Sequence, residues 1–158
     1  MENKEMNYIA TEDYVSLETA KKLRELGFDG VCHKVWVSAN GTTKLLSPNP
    51  VVEGSIVVNR SELEDGVRFA KSFEWNKLDD AWLAPTLYMA KKWVKAVFDQ
   101  YIEVIIHYNE DGSEDYSYRI YDGTLEETWD KEEYYGMGGF ETPEEALDAA
   151  ILDTLNLL

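Results

Sequence analysis

Residues 101–121 read YIEVIIHYNEDGSEDYSYRIY, two apolar and aromatic runs separated by a short polar segment. The run Tyr101–Tyr108 is rich in β-branched and aromatic residues, which favour strands. Asp111-Gly112 is a tight-turn signal, and Tyr116–Tyr121 has the alternation of a second strand. The stretch therefore predicts an antiparallel hairpin. Three residues of the second strand are expected on one face: Tyr116, Tyr118 and Ile120.

A second turn signal, Asp122-Gly123, follows this hairpin. Because such a turn needs a strand on its far side, a third strand is predicted near Leu125–Tyr135, which gives a three-stranded antiparallel meander. The same segment has another interpretation. Thr124 followed by Glu127 has the pattern of a capping box that opens a helix. We favour the strand because the turn requires a partner.

One helix is predicted before the meander in the sequence and another after it. Pro85 fits the first position of a helix over Pro85–Asp99, because its fixed φ suits that position. In Thr142-Pro143-Glu144-Glu145 the threonine is an N-cap, the proline takes the first helical position and the second glutamate can complete a capping box. This order predicts an α+β fold: an antiparallel sheet of three or more strands with helices mainly on one face.

The N-terminal half carries weaker signals. Ser16 can cap a helix over Leu17–Leu26, and Val31–Val37 is a β-rich run. Asn40-Gly41 is a turn signal. The stretch 38–83 predicts two short strands and irregular loops.

The organisation that we expect is one compact domain over residues 1–158. A chain of 158 residues with 44% hydrophobic residues is long enough to bury one good core. Residues 1–83 would supply the N-terminal helix and short strands. Residues 84–158 would form an α-β-β-β-α subdomain.

The negative charge is concentrated in the C-terminal part of the chain. Residues 99–158 contain 17 Asp and Glu against two basic residues, Arg119 and Lys131. The whole chain has a net charge of −16, so nearly all of the excess lies there. Because nucleic-acid binding draws most of its affinity from Lys and Arg on phosphates, this distribution argues against nucleic acid and against an anionic membrane as partners. A charged partner would be basic.

Several features indicate a cytoplasmic protein. No apolar run approaches the length of a membrane helix, and the N-terminus lacks the pattern of a secretory signal. Cys32 is the only cysteine, so the chain cannot form an internal disulfide.

The α-β-β-β-α order resembles the topology of the double-stranded-RNA-binding domain. That resemblance implies two helices on one face of the sheet. The family binds RNA with a basic cluster at the start of its last helix, and here the matching start is Pro143-Glu144-Glu145, without Lys or Arg. The resemblance therefore implies the topology and not RNA binding.

A second resemblance lies in three helical stretches: Ser16–Phe28 (SLETAKKLRELGF), Ala84–Trp93 (APTLYMAKKW) and Thr142–Leu158 (TPEEALDAAILDTLNLL). They are similar to short uncharacterised proteins from phages and mobile elements of gut Bacteroidetes. This resemblance implies that a phage or mobile element encodes the protein, and it implies no site residues.

No catalytic, cofactor or metal motif is found in the sequence. Cys32 and His33 are neighbours on a predicted strand, so they point to opposite faces and cannot form a nucleophile–base pair. Adding the distant His107 gives no metal-ligand spacing. The glycine-rich run Gly136–Gly139 lacks the lysine and Ser/Thr of a phosphate loop. We therefore predict no enzyme, no cofactor and no metal.

The acidic half is also rich in tyrosine and tryptophan, which are enriched at protein interfaces. We expect a non-catalytic interaction protein that binds a basic protein partner through this surface, with homodimer formation as a further expectation. For the aromatics alone we favour core and cross-strand packing, and for the acids alone we favour a role in solubility. The candidate partner-binding residues are Tyr116, Tyr118, Tyr121, Glu126, Trp129, Asp130 and Glu132.

An alternative function is a nucleic-acid mimic that inhibits a DNA-binding enzyme. On a strand, Glu126, Asp130 and Glu132 would share one face, and their spacing would be of the same order as that of phosphates along a nucleic-acid strand. This alternative requires the carboxylates to form an extended array.

Overall fold

The computed structural model describes residues 13–47, 78–123 and 139–158, together with the backbone of residues 61–64, 67–70 and 134–135. The elements in chain order are α1 (Leu17–Glu25), β1 (Lys34–Ala39), β2 (Thr42–Leu46), β3 (Ser61–Glu64), β4 (Val67–Ala70), β5 (Ala81–Ala84), α2 (Leu87–Phe98), β6 (Tyr101–Tyr108), β7 (Glu114–Tyr121), β8 (Tyr134–Tyr135) and α3 (Pro143–Leu157). The predicted α+β class with an antiparallel sheet is confirmed.

The C-terminal half contains the predicted meander. Strands β6, β7 and β8 form an antiparallel sheet in that order. The β6–β7 register runs from Tyr101 opposite Tyr121 to Tyr108 opposite Glu114. At the turn, the Asp111 carboxylate accepts hydrogen bonds from the Ser113 backbone N–H at 2.9 Å and from its hydroxyl. The sheet therefore has the order that its turn signals predict.

The third strand is described only at its end. Tyr134 pairs with Ile120, and Tyr135 pairs with Arg119. The rest of the predicted strand, and the alternative capping box at Thr124 and Glu127, lie outside the described residues.

Each of the three described helices begins at a hydroxyl cap. Ser16 accepts a hydrogen bond from the Thr19 N–H, and Thr142 accepts one from the Glu145 N–H, as predicted. The start predicted for α2 is wrong by two residues. Thr86 caps α2 through the Met89 N–H, and Pro85 precedes the cap. A hydroxyl that can satisfy a free N–H therefore sets this start, rather than the fixed φ of the proline.

The N-terminal sheet has the order β2-β1-β5, and β3 and β4 form a separate hairpin. The β1–β2 loop is Asn40-Gly41, with φ of 53° and 76°. These two positive φ angles are typical of a type I′ turn, which suits the twist of a two-residue hairpin.

The prediction for residues 38–83 has to be corrected. It allowed two short strands, whereas the described part of this stretch contains β2, β3, β4 and most of β5. The predicted strand Val31–Val37 is also shifted, because β1 takes its register from β5, with Lys34 opposite Ala84. Short strands of this kind are decided by their pairing partners more than by their own residues.

Helix α3 occupies the centre of the molecule and packs against α1, α2, β6 and β7. Its residues Ala150, Ile151 and Leu155 are fully buried. Burying a side chain such as Ile151 stabilises the fold by about 1.5–3 kcal/mol. These residues belong to one continuous cluster that also contains Val35 of β1 and Val94 of α2, so both halves of the chain share a core.

Candidate functional site: an acidic, aromatic-lined cleft

The structure places the predicted tyrosines on two different faces of β7. Tyr116 and Tyr118 lie on the side that packs towards α3, and Tyr121 lies on the other side. Tyr118 is only 3% exposed, and its hydroxyl donates to the Asp153 carboxylate of α3. Tyr118 is thus a core residue, and the three tyrosines do not form one surface. The other predicted residues, Glu126, Trp129, Asp130 and Glu132, lie outside the described residues.

The face of β6 and β7 that includes Tyr121 is polar. The Tyr121 hydroxyl donates to the Glu103 carboxylate at 2.9 Å, and desolvation raises the pKa of Tyr121. The His107 Nε2 atom lies 2.6 Å from the Ser117 hydroxyl oxygen. These cross-strand pairs hold the sheet face together.

Tyr116 connects β7 to the start of α3. Its backbone N–H and C=O both bond to Phe140, at 3.0 and 3.1 Å. Its hydroxyl donates to the Glu114 carboxylate at 2.9 Å, which raises the pKa of Tyr116, and Glu144 of α3 adds to the effect. The acidic residues at the start of β7 are therefore close to those at the start of α3.

A cleft of about 1050 Å³ opens beside these residues, where the N-termini of α1 and α3 meet. One wall is the segment 13–18, and the other is formed by α3 and Phe140. Trp36 and Leu87 contribute to the apolar part of the lining. The described residues of the lining are Asp13, Tyr14, Val15, Ser16, Leu17, Glu18, Trp36, Leu87, Phe140, Thr142, Glu144, Glu145, Asp148, Ala149 and Leu152.

Backbone hydrogen bonds fix the first wall. The Val15 N–H donates to the Pro85 carbonyl at 3.1 Å, and the Leu87 N–H donates to the Asp13 carbonyl at 2.9 Å. The Trp36 indole Nε1–H donates to the Val15 carbonyl at 3.0 Å. Because Val15 is fully buried, this wall belongs to the core of the protein rather than to a loose arm.

A hydrogen bond joins the two walls. The Ser16 backbone N–H donates to the Asp148 carboxylate at 2.8 Å, across 132 residues of sequence. The same serine caps α1 with its side chain, so it fixes the start of α1 against α3. This contact determines the geometry of the cleft.

The charge of the cleft is strongly negative. Among the residues that the structure describes, its lining includes five carboxylates and neither Lys nor Arg. In the part of the chain that the structure describes, none of the five forms an ion pair; the pair found there is Lys22–Glu25 at 3.1 Å, outside the cleft. Three of the acids lie in the first turns of α1 and α3, where the helix dipoles stabilise them. The five carboxylates are Asp13, Glu18, Glu144, Glu145 and Asp148.

The lining suits a cationic, partly apolar ligand. Carboxylates attract Lys and Arg side chains, and aromatic rings such as Tyr14, Trp36 and Phe140 offer apolar contact and cation–π attraction. A cleft of this size accommodates several side chains of an extended segment.

The sequence predicts both helix starts but not this site. It gives Ser16 and Thr142 as caps, and Glu145 as the partner of Thr142 in a capping box. Nothing local in the sequence shows that the two starts meet. They are joined by the hydrogen bond from the Ser16 N–H to the Asp148 carboxylate, which links residues far apart in the sequence.

The cysteine and histidine residues lie elsewhere. Cys32 is 1% exposed and His33 is exposed, so they lie on opposite sides of the chain as expected. Burial raises the pKa of the Cys32 thiol to about 12. Within the described ranges, no group of three or more His, Cys, Asp or Glu is arranged to hold a metal ion.

No family model, curated protein or solved structure matches this chain. Among the helices of the described ranges, none has both the length and the apolar character needed to cross a bilayer.

Proposed function

We propose that this protein is a non-catalytic, cytoplasmic interaction protein that binds a basic, partly apolar segment of a protein partner in the acidic cleft. The observation that carries the proposal is the lining itself, whose described residues include five carboxylates, three aromatic rings and no Lys or Arg. The resemblance of the helical stretches to phage and mobile-element proteins supports a role as an accessory protein of such an element.

The cleft is a better candidate than the tyrosine surface expected from the sequence. Tyr118 is buried, and Tyr121 faces away from Tyr116. In the cleft, the Trp36 indole N–H donates to the Val15 carbonyl, which holds the indole ring. The backbone of Phe140 is paired with that of Tyr116, which fixes the position of Phe140. Rigid aromatic anchors reduce the entropy lost on binding.

The test uses a fluorescent peptide in which Lys and Leu alternate. We expect saturable binding that weakens steeply when salt is raised from about 0.05 M to about 0.5 M, because screening weakens charge attraction. The double variant Glu18→Gln, Glu145→Gln should weaken binding about five- to tenfold at low salt. Both residues are exposed, so the fold should survive.

The matched control is Asp79→Asn, Glu110→Gln, which removes the same charge at exposed positions outside the cleft. It should bind the peptide nearly as well as the wild type. Equal loss in both double variants would show that net charge alone attracts the peptide. A peptide with Glu in place of Lys should not bind.

The nucleic-acid mimic remains a second candidate, because the acids extend beyond the cleft. Glu114 and Glu144 both act on Tyr116, which links the cleft acids to those of the β6–β7 hairpin. If the protein is a mimic, it should inhibit a DNase with a basic DNA-binding groove competitively with DNA, and Glu114→Gln, Glu144→Gln should relieve inhibition. Inhibition that excess DNA cannot relieve would contradict mimicry.

A further inference from the structure

A second cavity, of about 500 Å³, lies along α2 between Thr86 and Ala96. Its described lining residues differ from those of the acidic cleft. Most of its wall is apolar, and its principal apolar side chains are Phe28, Tyr88, Met89 and Trp93. His33 and Lys92 add polar atoms to the lining.

Aromatic packing fixes the wall of this cavity. The Phe28 and Trp93 rings are 5.4 Å apart and nearly perpendicular, and Trp93 makes a similar contact with Phe98 at 5.2 Å. The Trp93 Nε1–H donates to the Asp29 carboxylate at 3.2 Å, which holds the indole. At Gly30 an added Cβ would lie 2.5 Å from the Phe28 ring, so the glycine allows this ring to fold back into the wall. The cavity is therefore preformed.

Lysines surround one side of the cavity. A smaller adjoining cavity of about 320 Å³ shares Tyr88 and Lys92 with it and adds Lys91 and Lys95 to the lining. No carboxylate is found among the described lining residues of either cavity. Lys92 Nζ lies 5.5 Å from the centre of the Tyr88 ring, which is 69% exposed.

The helix dipole does not explain all of this charge. Lys95 lies in the last turn of α2, where a cation is stabilised by the C-terminal end of the helix. Lys91 and Lys92 lie before the last turn. In the described part of the chain, neither forms a salt bridge, although the protein is acidic as a whole.

We propose that the cavity at α2 binds a small amphipathic anion, with an aliphatic or aromatic body against Phe28, Met89 and Trp93 and a carboxylate or phosphate head at Lys92 and its neighbouring lysines. Ligand pockets of about 300–1,000 Å³ with an apolar wall and a few polar groups are typical of small-molecule sites. The site is independent of the proposed function, because it takes an anion whereas the cleft takes a cationic segment.

Calorimetry with the full chain tests this proposal by comparing ligands that share an apolar body and differ in their head group. We expect decanoate and decyl phosphate to bind saturably, and their relative affinities to show which head the lysines prefer. Decanol and decyltrimethylammonium share the apolar body but lack the anion, and should bind weakly. Equal affinity for decanoate and decanol would overturn the proposal, as would the absence of saturable binding of either anion.

Two variants locate the site. Lys92→Gln should weaken decanoate binding about fivefold and leave decanol unchanged, because it removes a charge and little apolar surface. Lys44→Gln, on β2 and exposed, is the matched control and should change nothing. Ala96→Phe adds a ring at an exposed lining position and should block both ligands.

A membrane surface is the outcome that would replace a free anion. If vesicles of phosphatidylglycerol sediment the protein while soluble decanoate and decyl phosphate do not bind, the lysines serve a bilayer and the proposal is wrong. Decanoate binding that survives Ala96→Phe would place the ligand elsewhere and would also overturn it.

Discussion

Cys32 shows how burial sets the chemistry of a single side chain. The thiol is 1% exposed and lies in the core cluster with Val35. Desolvation disfavours its thiolate and raises its pKa from 9.0 to about 12. At neutral pH the residue is therefore a small apolar group rather than a nucleophile.

Cys32 makes the free energy of unfolding depend on pH in the alkaline range. Since its folded pKa lies above the unfolded value, its contribution is fully present below pH 9.0 and is lost as the pH rises towards about 12. By about pH 10.5 the loss should be about 2 kcal/mol. Urea unfolding at about pH 8 and about pH 10.5 measures it. Cys32→Ala retains the other titrating groups, so it should lose less stability than the wild type; equal losses would contradict the account.

At the scale of an element, the helix starts determine where α1, α2 and α3 meet the core. Ser16, Thr86 and Thr142 each accept a backbone N–H of the following turn. Thr86 also pairs with Tyr14 through the backbone, so the start of α2 helps to hold the wall of the cleft. Capping thus contributes to the site as well as to the helices.

Thr86→Ala tests the corrected start of α2. Loss of the hydroxyl that accepts the Met89 N–H should lower the free energy of unfolding by about 1 kcal/mol. Thr86→Ser keeps the acceptor and should restore most of this stability. Thermal unfolding of both variants measures the effect. If serine and alanine destabilise α2 equally, the hydroxyl is not what caps it.

The sequence predicted well those features that a few neighbouring residues determine. Hydroxyl caps at Ser16 and Thr142 and the turn Asn40-Gly41 follow from single residues and their neighbours. The predicted start of α2 is wrong because it rests on the fixed φ of Pro85, whereas the Thr86 hydroxyl caps the helix. The positions of β3 and β4 were not predicted, since four-residue strands are determined by a partner rather than by their own composition.

At the scale of the whole molecule, the cleft arises from segments that are distant in sequence. Residues 13–18 and 140–152 meet because α1 and α3 both pack into the shared core. Composition predicted an acidic surface in the C-terminal half, but the cleft also takes Asp13 and Glu18 from the N-terminal half. Sequence alone could therefore predict the charge of the site and not its place.

The charge of the molecule should also affect its stability. A net charge of −16 produces self-repulsion in the folded state, which salt screens. Raising NaCl from about 0.02 M to about 0.3 M should therefore raise Tm by several degrees. Sucrose at matched osmolality controls for effects other than screening and should raise Tm less. A fall in Tm over this salt range would mean that attractive pairs dominate.

Amide chemical shifts show directly whether the acidic cleft is the binding surface. The ¹⁵N-labelled protein is titrated with the unlabelled Lys–Leu peptide at low salt. We expect the largest shifts at residues 13–18 and 140–149 and at the Trp36 indole N–H, with little change at Glu103 and Tyr121. Largest shifts on the Glu103–Tyr121 face, or shifts spread evenly over the acidic residues, would contradict the claim.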